Sequence, residues 1–132
     1  MKMRSMRGVG ALAAFSAMLF LSGCDQTVTI KQNENGNYVY DPGLLDLEAG
    51  KKCTVVFKDA ANVAAHAVEI RVPGATPTAP ATVVTTGRVL PGGEWRWTIP
   101  ANTYPVGTRL SVSEPASAGG QHNTERGTLR FN

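Results

Sequence analysis

From Thr27 onward the chain alternates apolar and polar residues in short runs, each closed by glycine, proline, asparagine or aspartate. A period of two is the pattern of a strand with one face buried, because successive side chains point to opposite sides. Thr27 to Ile30 opens the series, and Asn35-Gly36 is a strong hairpin signal. Asn37 to Tyr40 gives a short strand closed by Asp41-Pro42-Gly43, and Leu45 and Leu47 alternate with Asp46 and Glu48. Cys53, Val55 and Phe57 share one face, as do His66, Val68 and Ile70. The segment 73–81, rich in proline, threonine and alanine, reads as a loop before β character returns at Val83 to Leu90. Pro91-Gly92-Gly93 turns the chain into Glu94 to Ile99, where Trp95 and Trp97 share a core-facing side. Thr108 to Ser113 and Thr128 to Phe131 are the last two strands, separated by a long loop of small residues from Glu114 to Arg126. No segment places apolar residues at helical spacing over three turns. The pattern predicts an all-β protein, a single Greek-key β-sandwich of about seven or eight strands.

The first 23 residues follow a different rule. Lys2, Arg4 and Arg7 precede an apolar run from Val9 to Leu21, too short for a spanning helix, and small residues follow. This is the layout of a secretory signal. Leu21-Ser22-Gly23-Cys24 resembles the cleavage site of a bacterial lipoprotein. The resemblance implies a signal peptide over 1–23, a mature domain over 24–132, and diacylglycerol on the Cys24 sulfur with acylation of its amine. The lipid bilayer is then the first partner, and the localisation is lipid-anchored and extracytoplasmic. Asp25 directly after the cysteine resembles a retention signal for the periplasmic face of the inner membrane.

Removing the signal changes the composition. Residues 24–132 hold all ten acidic residues and ten of the thirteen lysines and arginines, so the basic character of the whole chain resides in the signal and gives no argument for nucleic acid. All four methionines fall before Cys24. With Cys24 acylated, Cys53 is the one remaining thiol, expected to be buried in its strand, with no intrachain disulfide.

Several motifs then point to one family. Tyr38-Val39-Tyr40-Asp41-Pro42 with Leu45, Leu47 and Ala49-Gly50 resembles the opening of cupredoxins, the plastocyanin- and azurin-like copper proteins. Asn62 with His66 resembles the segment carrying their first copper-ligand histidine, and Tyr104-Pro105-Val106-Gly107-Thr108 resembles the lead into their penultimate strand. The resemblance implies the cupredoxin sandwich but not its metal. A blue-copper centre needs a thiolate, two imidazoles and a weak axial ligand such as methionine. The family alignment places Ser113 at the cysteine, Ala116 at the histidine and Glu125 at the methionine; only His66 matches.

No Gly-x-Ser-x-Gly elbow and no phosphate-binding glycine loop occur, so the chain is not expected to be an enzyme. The leading expectation is a membrane-anchored, non-catalytic interaction module with an envelope protein as partner and no cofactor. A second reading is an extracytoplasmic Cu(II) or Zn(II) binder that delivers metal through His66, His122 and Glu125, two imidazoles and a carboxylate. A copper electron carrier ranks third, since the soft ligands are missing.

Overall fold

The computed structural model describes residues 24–115 and 124–132. Nine strands and no helix occur among the described residues: β1 (Cys24–Gln32), β2 (Tyr38–Asp41), β3 (Leu44–Leu47), β4 (Cys53–Asp59), β5 (His66–Val72), β6 (Thr82–Val89), β7 (Glu94–Ile99), β8 (Arg109–Glu114) and β9 (Thr124–Phe131). Nine strands exceed the seven or eight expected; β2 and β3, on either side of Asp41-Pro42-Gly43, belong to different sheets.

The strands form a sandwich of a four-stranded sheet, ordered β2-β1-β4-β7, and a five-stranded sheet, ordered β3-β9-β8-β5-β6. Both sheets are mixed, since β1 runs parallel to β4 and β3 parallel to β9. Alternation decides what lies between them. Val55 and Phe57 of β4, Val68 and Ile70 of β5, Leu110 and Val112 of β8, and Leu129 and Phe131 of β9 are all buried. Trp95 stacks on Phe57 with ring centroids 5.4 Å apart, which places the tryptophan face of β7 inward as its spacing predicts. A Cβ on Gly87 would lie 2.0 Å from the Trp95 ring, so β6 needs glycine there for the indole to fit.

One expectation is corrected. Cys53 is not a free thiol: it forms a disulfide with Cys24, across 29 residues of sequence. The parallel register of β1 and β4 puts the two cysteines directly opposite each other. Cys24 is also an integral part of the sheet. It is the first residue of β1, only 4% exposed, and its backbone N–H donates to the Lys52 carbonyl at 3.0 Å.

Candidate functional site

The opposite end of the sandwich, where β4 ends and β5 begins, gathers the buried charges. The chain must leave β4 at Asp59 and re-enter β5 at His66 within a few residues. Asp59 makes that turn possible by accepting backbone N–H groups with its own carboxylate. Oδ1 accepts from Ala61 at 3.0 Å, while Oδ2 accepts from Asn62 at 3.1 Å and from Gly92 at 2.9 Å. Asn62 and Gly92 both hold left-handed backbone, with φ of 55° and 70°. One buried side chain therefore ties the turn before β5 to the turn before β7. Burial works to raise the Asp59 carboxyl, but the three backbone donors and nearby His66 outweigh it and hold the group below the ordinary carboxylate range.

His66 is 2% exposed and lies edge-on to Tyr38, with ring centroids 4.5 Å apart. Its two nitrogens face two carboxylates: Nδ1 is 3.4 Å from Glu114 Oε1, and Nε2 is 3.9 Å from Asp59 Oδ1. Nε2 has no hydrogen-bond partner among the described residues. Glu114, at the end of β8, is the meeting point. The Tyr40 hydroxyl donates to its Oε1 at 3.1 Å, and Arg126 Nε approaches the same oxygen at 3.4 Å. Arg126 is steered from β9 by a second bond, Nη1 donating to the Tyr38 carbonyl at 2.9 Å. Burial first, and then the Glu114 charge, push the Tyr40 hydroxyl well above the ordinary phenol range.

The arrangement inverts that of a metal centre. Where a cation site directs lone pairs at one point, here a phenol, a guanidinium and an imidazole converge on one carboxylate oxygen. A guanidinium is permanently charged and stands beside the Glu114 carboxylate at the His66 Nδ1 edge, so a metal ion approaching His66 meets a positive charge already in place. The thiolate of a type 1 copper site is also missing, since both cysteines are joined to each other. The described residues therefore do not fit the copper that the fold family implies. They also contain no group of three or more histidine, cysteine, aspartate or glutamate side chains placed to hold a metal ion.

The residues singled out from sequence are separated. His66 lies in the polar cluster, whereas Ser113 is buried in β8 opposite Glu69 and lines the outer face of the five-stranded sheet. Glu125 is exposed and lines a groove on the outside of the five-stranded sheet, while its neighbour Arg126 enters the cluster. The described part of the His66–His122–Glu125 set thus does not converge; His122 and Ala116 lie outside the described residues. Sequence reasoning missed Asp59, Glu114, Arg126 and Tyr40. Asp59 had a local signal, an aspartate ending an apolar alternation and followed by Ala60-Ala61-Asn62.

No family model matches the chain, and no curated protein matches it by sequence. Solved structures do match by shape. Na-dithionite-reduced auracyanin from the photosynthetic bacterium Roseiflexus castenholzii superposes with a TM-score of 0.55 at 16% identity, covering 82% of this chain and 96% of that one. Auracyanin A, a "blue" copper protein from Chloroflexus aurantiacus, gives 0.54 at 16% identity, with 82% and 99% covered. A multicopper oxidase gives 0.51 at 10% identity over 83% of this chain, which spans 45% of that larger protein. The sandwich formed by the described residues has the cupredoxin-like fold that its motifs resemble.

Proposed function

We propose that residues 24–132 form a non-catalytic, cupredoxin-like binding module of the cell envelope without a type 1 copper centre. The observation that carries this reading is Glu114. Its carboxylate is engaged by Tyr40 and Arg126 at the point where His66 would offer a nitrogen to a metal. A partner protein meets this pole at the turns that Asp59 ties together, where Val63 and Leu90 are exposed. Titration of the purified chain with Cu(II) and Zn(II), followed by calorimetry and visible absorption, tests the proposal. The expected result is no micromolar binding and no intense band near about 600 nm, the region of thiolate-to-copper charge transfer. Tight uptake lost in His66→Ala would replace the binding module with metal handling.

Anchoring belongs to the same proposal and rests on Leu21-Ser22-Gly23-Cys24. The signal places the domain outside the cytoplasm, and Asp25 favours the periplasmic face of the inner membrane. The Cys24 sulfur has two exclusive fates, a thioether to diacylglycerol or the bond to Cys53. An intact mass of the membrane-fraction protein separates them. The anchoring reading expects added acyl mass with one free thiol; a chain without acyl mass and without a thiol ends it. In either form, Cys53 and Asp59 lie at opposite ends of the seven-residue strand β4, about 20 Å apart. An anchored domain would direct its His66 pole away from the bilayer.

A further inference from the structure

The outer face of the five-stranded sheet carries a groove of about 650 Å³, within the size range of small-ligand sites. Register fixes its floor. Arg71 lies opposite Ser111, and Ser111 opposite Thr128, so the three form one row across β5, β8 and β9. Leu110, Val112 and Leu129 between them are buried inward, which leaves the row pointing outward. Arg109 sits two residues before Ser111 on the same face. Glu125 pairs with Ser113, two residues beyond Ser111. The charges are therefore laid along β8, arginine at one end and glutamate at the other, four residues of strand or about 13 Å apart.

The side wall is built rather than loose. In the 73–81 loop, the Ala79 N–H donates to both the Thr76 carbonyl (3.1 Å) and the Thr76 Oγ1 (3.2 Å). A Cβ on Gly74 would stand 2.5 Å from the Ala79 carbonyl, so the loop closes on itself only with glycine there. Arg71 is held by Glu69, whose Oε1 accepts from Nε at 2.6 Å. Two register irregularities of this sheet also fall on groove residues, at Ile70/Arg71 and at Val112/Ser113. Such bulges re-aim side chains and are concentrated beside functional sites.

We propose that this groove binds a short, extended peptide with small side chains and free termini, its carboxylate between Arg71 and Arg109 and its amine at Glu125. Arginine forks match carboxylates in plane and in charge. The hydroxyls of Ser111 and Thr128 meet the peptide's amide groups, and the wall of Pro73, Ala75, Pro77 and Ala79 offers apolar contact to small side chains. Four extended residues span at most about 14 Å, which suits the separation of the charges. This site is separate from the His66 pole, so it stands or falls independently of the function proposed above.

The test is titration of the isotopically labelled full chain with tetra-alanine, its C-terminal amide, its N-acetyl form and inorganic phosphate, read by amide chemical shifts. The expected result is saturable shifts at Ser111, Thr128 and Thr76 with a dissociation constant below about 1 mM. Amidating the peptide, or changing Arg109→Gln, weakens binding by about fivefold; acetylating the amine, or Glu125→Gln, weakens it by about threefold. Both residues are exposed, so the variants keep the fold, which the dispersion of the same spectra verifies. No shift at these amides up to about 10 mM peptide overturns the proposal. So does equal binding of the amide, or phosphate binding as tightly as the peptide.

Discussion

The two poles of the sandwich solve the same problem, closing the space between two sheets, with opposite chemistry. At the β1 and β4 starts the closure is largely apolar, through buried Ala49 and Ile99 and backbone bonds such as Asn102 N–H to the Ala49 carbonyl at 2.8 Å, and the Cys24–Cys53 disulfide locks β1 to β4 within one sheet. At the β4 end the closure is ionic and directional, through Asp59, His66, Glu114, Tyr40 and Arg126. Apolar closure tolerates imprecision, because area removed from water counts wherever it lies. A buried charge has no such tolerance and must find its donors. The polar pole is consequently more exacting to build and should also be the more sensitive to single substitutions.

Asp59→Ala breaks the comparison most severely. It leaves the N–H groups of Ala61, Asn62 and Gly92 without their acceptor in a buried turn, and denaturant unfolding should show a loss of about 4 kcal/mol. The same carboxylate sets an acid limit. Its folded-state value lies below the unfolded one, so its contribution is complete above the unfolded value, about pH 4, and is lost as the pH falls through the folded value. An Asp59→Asn variant should show a shallower decline of stability through that acid range.

At the other pole Cys53→Ala should cost about 3 kcal/mol in the disulfide-bonded protein, through loop entropy regained by the unfolded chain. In an acylated protein the same change removes only a buried thiol and should cost about 1 kcal/mol. Thermal unfolding of the membrane-derived chain thus sharpens the contrast between poles and reports the fate of Cys24 together. Glu114→Gln comes next. It keeps the shape of the meeting point but removes the charge facing Arg126 and His66, for an expected loss of about 2 kcal/mol.

The difference between the poles also explains what the sequence makes legible. Alternation identifies Val55, Phe57, Val68 and Ile70 as core because burial in a strand is a local, period-two property. The disulfide was hidden because it depends on β1 lying parallel to β4, a pairing that no local pattern encodes. Reading Cys24 as a lipid attachment removed it from the fold altogether. Glu114, Arg126 and Tyr40 come from three different strands, with Tyr40 74 residues from Glu114, and each alone resembles an ordinary surface or strand residue. His66 was visible through a family motif, whereas the groups that redefine its surroundings were not. Glu125 was assigned to that cluster, although strand alternation gives the position to Arg126 and turns Glu125 outward.

Tyr40→Phe is the mildest way to probe the polar pole, and it separates packing from hydrogen bonding. The ring, 6.5 Å from Phe57 between centroids, stays in place and only the hydroxyl that donates to Glu114 is removed. A loss of about 1 kcal/mol is expected near neutral pH, the usual worth of one such bond. Alkaline pH gives a second reading with its sign fixed in advance. The folded protein holds the Tyr40 proton more tightly than the unfolded chain, because burial and the Glu114 charge both disfavour a phenolate. That contribution is complete below the unfolded value, about pH 10, and is lost as the pH rises above it. Stability of the wild-type chain should therefore fall more steeply above pH 10 than that of Tyr40→Phe, bringing the two curves together. Parallel alkaline curves would mean that the phenol and Glu114 are not coupled, and the polar pole would then lack the meeting point that sets it apart from the disulfide end.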